Sequence, residues 1–390
     1  MKKLIFLIMV MVMIMVFISP ALAQGAVKIA FIGPITGTAA DMGLGGRNSF
    51  LLAVREANES ELFPFKIETM VLDDGGDPAV ALTAAMKAVA DNNVVAIVAH
   101  WNSACALATV HTYHKAGIPT VIWGAIHPDI TYGNDYREIT RVCQVAKVQD
   151  YFLVRFLIDL GYKSYSVIHD KTSYGEAHAN SFIEAVNEFG GQILSRDGTT
   201  EGERDFSPVL TMIRPRNPEV VFYAGYHTEA AFIKMQMKEL DMDQLLVGIT
   251  GMSAETFNEL AGEYAEGSMH AREGIPLAEL PGGRKFVAAY EDANFAEPYE
   301  AYGPFAYEAT NVVLTALKKV GADRGKLIDE IAVTKDFDLI FGGWSFDEHG
   351  QTDLELYRAY VSQDGKWVVW EESEYATGKR LLPVIGHVKP

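Results

Sequence analysis

Short β-prone runs alternate with amphipathic helical runs along most of this chain, and the alternation is played out twice. The first set is Lys28–Ile32 (strand), Gly43–Asn58 (helix), Phe65–Leu72 (strand), Pro78–Ala90 (helix), Val94–Ala99 (strand), Ser103–Ala116 (helix) and Pro119–Ile122 (strand). In Gly43–Asn58 the side chains of Phe50, Leu51, Val54 and Ala57 fall on one helical face, and Pro78 stands where a first helical turn tolerates it. A wholly apolar run such as Val94–Ala99 suits a strand covered on both sides. The rhythm therefore predicts an α/β fold, a doubly wound parallel sheet with helices on both faces. It pauses near Arg141–Val145 and restarts. Helices are expected at Asp150–Leu160, Tyr174–Phe189, Pro208–Ile213 and Glu229–Leu240, and strands at Ser164–His169, Gln192–Ser195, Val220–Tyr223 and Leu245–Gly248.

Beyond residue 272 the order changes. Helical patterns at Gly283–Glu291, Gly303–Lys319 and Lys326–Ala332 precede β-type runs at Leu356–Val361 and Trp367–Trp370, with Asp364-Gly365 as a hairpin signal between them. A chain that builds two units and then adds more of both kinds must recross. The expected division is one lobe from 27–143 plus 273–350 and a second from 144–272 plus 351–390, joined by a hinge. Ligands of open α/β sheets sit beyond the carboxyl ends of the strands, so facing lobes would bury one in the cleft.

Composition narrows the function. With 49% hydrophobic residues among 390, the chain can build cores of this size and is not a disordered polymer. Its net charge of −18 argues against a nucleic-acid partner. At the start, Lys2 and Lys3 precede an apolar run from Leu4 to Ile18, then Ala21-Leu22-Ala23. This reads as a secretory signal peptide, residues 1–23, cleaved after Ala23, and hence as export of the rest. An uncleaved anchor is the alternative, although the run falls short of the roughly 20 residues that span a bilayer. Gln24, not cysteine, follows the cleavage point, which argues against a lipoprotein.

Signatures of catalysis or cofactor binding are missing. Gly43-Leu44-Gly45-Gly46-Arg47-Asn48 is not a dinucleotide fingerprint, and neither Gly365-Lys366-Trp367 nor Gly378-Lys379-Arg380 is a P-loop. Gly251-Met252-Ser253-Ala254-Glu255 fails the nucleophile-elbow pattern at its last position. His111 and His114 share a helix face without a third ligand, so a solvated face is expected. Asp73-Asp74-Gly75-Gly76-Asp77-Pro78 lacks the spacing of a calcium loop and reads as a turn capped by Asp77. Cys105 and Cys143 are expected as buried thiols. No cofactor and no metal are expected. His100-Trp101-Asn102-Ser103-Ala104-Cys105, between a strand and a helix, admits two readings. Ser103 either caps the helix or offers its hydroxyl and the N–H groups behind it to an anion.

Six segments together carry a resemblance: Lys28-Ile29-Ala30-Phe31-Ile32-Gly33-Pro34-Ile35-Thr36-Gly37, Asp73–Pro78, His169-Asp170-Lys171, Tyr174-Gly175-Glu176, Gly202-Glu203-Arg204-Asp205-Phe206-Ser207 and Tyr223-Ala224-Gly225-Tyr226. In this order, from about Val27 to Val361, the chain resembles type I periplasmic binding proteins, specifically the Leu/Ile/Val group of ABC-transporter receptors. The resemblance implies two Rossmann-like lobes, three hinge crossovers, an amino acid or related small carboxylate as ligand, and an inner-membrane ABC permease as partner in the periplasm. It implies that Ser103 and the backbone of Gly124-Ala125 hold the ligand carboxylate, and that Tyr174 and Tyr226 close over it. Ile126 replaces a neighbouring hydroxyl, Met42 stands at an aromatic wall position, and Tyr302 lines the same side. Trp101 and Asn102 are counted with this site. His100, Trp123, His127 and His227 lie in or beside the same segments, and for Trp101 and Trp123 a cleft wall and core packing remain equally open. Thr250 is the main departure, since the group places a Glu there to pair the ligand ammonium; Asp129 or Glu255 could substitute. An ammonium buried without its carboxylate costs on the order of 3–5 kcal/mol, so ordinary Leu, Ile or Val is expected to be disfavoured. An amide- or urea-type sensor on the same fold is the alternative, and an exported hydrolase with a Ser/His pair among the ten histidines is a further one.

Overall fold

The computed structural model describes residues 27–60, 62–273, 276–354 and 356–383. The signal-peptide segment 1–23 lies outside the described residues. Two sheets organise the molecule. The first is parallel throughout, in the order β2-β1-β3-β4-β5, from β1 (Val27–Gly33), β2 (Ile67–Asp73), β3 (Val94–Ala99), β4 (Thr120–Ile122) and β5 (Ile139–Arg141). Helices α1 (Ala40–Glu59), α2 (Pro78–Ala90) and α3 (Ser103–Ala116) link its strands.

The second sheet has the order β12-β11-β10-β9-β8-β6-β7. Its strands are β6 (Ser164–His169), β7 (Gln192–Gly198), β8 (Val220–Ala224), β9 (Leu245–Gly248), β10 (Met269–Glu273), β11 (Tyr357–Gln363) and β12 (Lys366–Val369). The β10–β11 and β11–β12 pairs are antiparallel and the other pairs parallel. Between β11 and β12 Asp364 and Gly365 take φ of 53° and 74°, the left-handed pair that the expected two-residue hairpin requires. The linking helices are α4 (Ala146–Asp159), α5 (Ser173–Glu188), α6 (Ser207–Ile213), α7 (His227–Glu239) and α8 (Glu255–Ala261).

After β10 the chain returns to the first sheet as α9 (Pro281–Asp292), α10 (Gly303–Val320) and α11 (Arg324–Ala332), with α10 lying along α1. The glycines of Gly43–Asn48 serve that packing. A Cβ on Gly45 would lie 2.6 Å from the carbonyl oxygen of Tyr299, and one on Gly46 2.6 Å from the Trp123 ring. Asp77 caps α2 by accepting the N–H groups of Ala79 and Val80 at 2.8 and 3.0 Å. Cys105 and Cys143 are buried and not joined in a disulfide. His111 bonds Tyr136 and His114 bonds Glu138, and the described residues hold no group of three or more metal-ligating side chains. Among them no helix is long and apolar enough to cross a membrane.

Candidate functional site

In each sheet the chain leaves a central strand in both directions, and the crevice at that switch point is where an open α/β sheet receives a ligand. The crevices lie between β1 and β3 in the first sheet and between β6 and β8 in the second. Trp101, Asn102 and Ser103 follow β3, whereas Tyr174 and Tyr226 follow β6 and β8.

These side chains meet. The Trp101 ring lies 5.4 Å from that of Tyr226, which stacks on Tyr174 at 5.2 Å and 8°. Tyr302 stands edge-on to Trp101 at 6.1 Å. Asn102 Nδ2 donates to the Tyr226 hydroxyl at 3.3 Å, and the Tyr174 hydroxyl accepts the Gly251 N–H at 2.8 Å. Gly124 is needed beneath Trp101, because a Cβ there would run into the indole. Burial pushes the Tyr226 hydroxyl far up from its ordinary pKa, so it remains protonated. All four rings are at most 8% exposed. Within this nearly dry cluster the Trp101 Nε1–H and Asn102 Oδ1 have no hydrogen-bond partner among the described residues, a state that costs about 1–3 kcal/mol per group.

Two local expectations are corrected. Ser103 is the first helical residue and not the cap; Asn102 takes the extended cap position, its side chain turned to Tyr226 instead of the helix. Asn and Ser are both good caps, so the sequence places the helix Ser103–Ala116 correctly but leaves its cap one residue off. Ser103 Oγ accepts the N–H groups of Ile126 and His127, each at 3.3 Å. The N–H groups of Gly124 and Ala125, expected to meet an acid, point instead at the carbonyl of His100, at 3.2 and 3.1 Å. The first N–H groups of α3 remain without intrahelical acceptors.

The remaining residues divide clearly. Met42 and Trp123 are fully buried, and Trp123 packs on Phe31 at 5.4 Å, so of the two tryptophans only Trp101 belongs to the cleft. His100 is a core residue between Asp74 at 2.8 Å and Tyr113 at 2.7 Å. Thr250 is 1% exposed and its hydroxyl donates to Gln149 Oε1 at 3.3 Å, while Gln149 Nε2 donates to the Ala271 carbonyl. Asp129 is 70% exposed and stays outside the aromatic cluster. Glu255 instead lines a neighbouring cavity of 480 Å³ whose walls come from both halves of the molecule.

Sequence reasoning missed Gln149 and Arg141. The buried Arg141 guanidinium donates to the carbonyls of Ala125 and His127, to Thr131 and to Gln351. It thereby fixes the loop behind Ser103. An arginine in a strand carries no local mark of such a role.

A sequence model described as periplasmic binding protein matches residues 26–366. The chain belongs to that family. As a periplasmic binding protein it is a solute-binding receptor of the transport class, not an enzyme. It is 26% identical over 338 residues, 86% of this chain and 89% of the relative, to the leucine-, isoleucine-, valine-, threonine- and alanine-binding protein of Pseudomonas aeruginosa. Its fold matches the leucine-binding protein LivK of Thermotoga maritima with a TM-score of 0.80, at 28% identity over 88% of this chain and 97% of that one. It matches the branched-chain amino acid transporter substrate-binding protein LivJ of Streptococcus pneumoniae, solved with isoleucine, with a TM-score of 0.80, at 25% identity over 88% and 99% of the two chains. The neighbours are two-lobed type I proteins, and the two sheets here are those lobes.

Proposed function

We propose that this periplasmic receptor binds an amino acid or related small carboxylate between its lobes, closes on it by hinge rotation, and presents the closed form to an inner-membrane ABC permease. The observation that carries the reading is the aromatic bridge. Trp101 and Asn102, from the end of β3, touch Tyr226, from the end of β8, and two polar atoms beside the bridge have no partner among the described residues. A ligand engaging both sides gains contacts only in the closed form, and that difference in affinity shifts the population. In this reading Ser103 and the free N–H groups of α3 face the acid, with Trp101 Nε1–H beside them. Gly124 and Ala125 shape that wall, Tyr174 and Tyr226 cover the ligand, and Met42 and Tyr302 back it. The lobes are 27–143 plus 273–350 and 144–272 plus 351–390, and export follows cleavage after Ala23.

Thr250 sets what the other end of the ligand carries, because a hydroxyl cannot neutralise an ammonium. The test is calorimetry and solution scattering with leucine, isoleucine, valine, threonine, alanine, aromatic acids and amides. One-to-one binding without product, with a smaller radius of gyration, is expected for the cognate class. Formation of a product, or an unchanged envelope at saturation, overturns the reading. Thr250→Glu should raise the affinity for α-amino acids, by about tenfold or more if the new carboxylate reaches the ammonium. Unchanged affinities would show that position 250 does not face the ligand.

A further inference from the structure

Behind the aromatic bridge, in the second lobe, lie two titratable side chains that the proposed ligand contacts do not use. His178 of α5 and Asp150 of α4 are both fully buried. His178 Nδ1 lies 2.9 Å from each oxygen of the Asp150 carboxylate, so one N–H is shared between two acceptors. Burial pushes the Asp150 carboxyl up from its ordinary pKa, and the facing imidazole opposes that shift. As a means of holding two helices together such a pair has no advantage, because apolar side chains of similar volume are often as stabilising or more so. What it adds over an apolar contact is a fixed direction for the imidazole ring.

The imidazole in turn meets Tyr174. The two residues stand one helical turn apart on one face of α5, and their rings lie 4.8 Å apart at 77°. Tyr174 is already held at its tip, where the hydroxyl accepts the Gly251 N–H at 2.8 Å. That bond lies on the axis from Cβ to the phenolic oxygen, so it leaves the ring free to turn about the axis. A contact from the side is needed to fix the plane in which Tyr174 stacks on Tyr226, at 5.2 Å and 8°. His178 supplies it. Its Nε2 has no hydrogen-bond partner among the described residues, so Asp150 orients the imidazole through Nδ1. Gln149, the preceding residue of α4, gives comparable support to Thr250, whose hydroxyl it accepts at 3.3 Å.

We infer that His178, oriented by Asp150, is a positioning residue for solute recognition: it sets the plane of the Tyr174 ring, and through it the Tyr174–Tyr226 stack that covers the solute. This rests on the inter-lobe reading above and adds two residues that act on the solute only through Tyr174. The geometry they fix exists before binding, so its loss appears as weaker binding by a protein that still folds.

The experiment compares the exported chain with three variants. Asp150→Val combined with His178→Leu makes the pair apolar. His178→Gln keeps a donor for Asp150 but removes the ring beside Tyr174. Asp150→Asn keeps a carbonyl oxygen to accept Nδ1–H. Each is titrated with leucine, isoleucine, valine, threonine, alanine, phenylacetate and benzamide, and its near-ultraviolet circular dichroism is recorded without ligand, where packed aromatic rings are read. The double variant and His178→Gln should melt near the wild-type temperature. Their affinity for the solutes that bind the wild type should fall about tenfold, and the aromatic dichroism should weaken. Asp150→Asn should recover most of both. Affinity and spectrum unchanged in His178→Gln overturn the inference, and so does an affinity lost only in step with stability. An Asp150→Asn no better than the double variant also overturns it. If the double variant does not fold, His178→Gln decides. If the wild type binds and compacts while His178→Gln matches it throughout, the inter-lobe reading stands and the positioning role is wrong. If no solute of the panel binds or compacts the wild type, the inter-lobe reading falls, and the ligand-free spectrum of His178→Gln still decides whether His178 sets the ring stack.

Discussion

Arg141 holds the loop behind Ser103 through neutral oxygens in its hydrogen bonds to the Ala125, His127, Thr131 and Gln351 side and main chains. Arg141→Lys keeps the charge but loses the planar fork that reaches several acceptors at once. A cost of about 2–4 kcal/mol is expected, read as a lower urea midpoint at unchanged slope, together with weaker ligand binding. Wild-type stability in that variant would refute the bracing role. Glu308 presents the opposite case, a buried carboxyl that is the acceptor for Trp344 Nε1 at 2.8 Å and the Ile340 N–H at 3.3 Å. Burial pushes it up to about 8, whereas the unfolded chain releases the proton near the ordinary value of roughly 4.3. Its contribution is therefore fully present below the unfolded pKa and is lost as pH rises through about 8. Relative to Glu308→Gln, which cannot ionise, the wild type should lose a few kcal/mol of unfolding free energy between about pH 5 and pH 8. A constant difference between the two proteins across that range would contradict the assignment.

Among the elements, α1 shows how packing overrides local preference. Glycine in a helix interior costs roughly 0.5–1 kcal/mol relative to alanine, yet Gly43, Gly45 and Gly46 lie within it. Their faces meet Pro34, the Pro298–Tyr299 backbone and the Trp123 ring. Gly46→Ala gains the helix term but forces a methyl to within 2.6 Å of a fully buried indole. Overpacking of about 1–3 kcal/mol outweighs that gain, so thermal melting should come at a lower temperature. A more stable Gly46→Ala would mean that Trp123 can move. The elements most legible in the sequence were those with stop and start chemistry at both ends. Pro78–Ala90, Val94–Ala99, Ser103–Ala116, Ser164–His169 and Leu245–Gly248 form with the expected bounds. Strands β5 and β10 were not legible, because Thr140, Arg141 and His270 put buried polar groups where apolar alternation would announce a strand.

At the scale of the whole molecule, the same contrast governs the site. Tyr174 and Tyr226 could be singled out through the resemblance to the Leu/Ile/Val group and Trp101 through its place between a strand and a helix, and α/β topology sends such positions to one end of a sheet. The 480 Å³ cavity lined by Glu255 could not, since Asp41, Arg272 and Glu300, which also line it, come from separate segments that the chain's recrossing brings together. That recrossing is braced where its strands run side by side. The Arg141 N–H donates to Gly350 at 2.8 Å, the Thr352 N–H donates to Arg141 at 3.0 Å, and Gln351 Nε2 donates to the Cys143 carbonyl at 2.9 Å. In the proposed closure, rotation of the lobes about these segments is opposed by contacts at the binding segments, among them the Trp101–Tyr226 and Asn102–Tyr226 pairs and the Asp41–His227 approach. Trp101→Ala removes the largest of them without touching either sheet. Its ligand-free form should scatter with a larger radius of gyration than the wild type. Its affinity for the cognate ligand should fall by about 10- to 100-fold, the equivalent of losing the Tyr226 and Tyr302 ring contacts at about 0.5–1.5 kcal/mol each. The two effects have one cause, because a lobe pair that rests further apart must spend part of the ligand's binding energy on closing. An expanded Trp101→Ala that still bound at wild-type affinity would separate closure from binding, and with it undo the account of how this receptor recognises its solute.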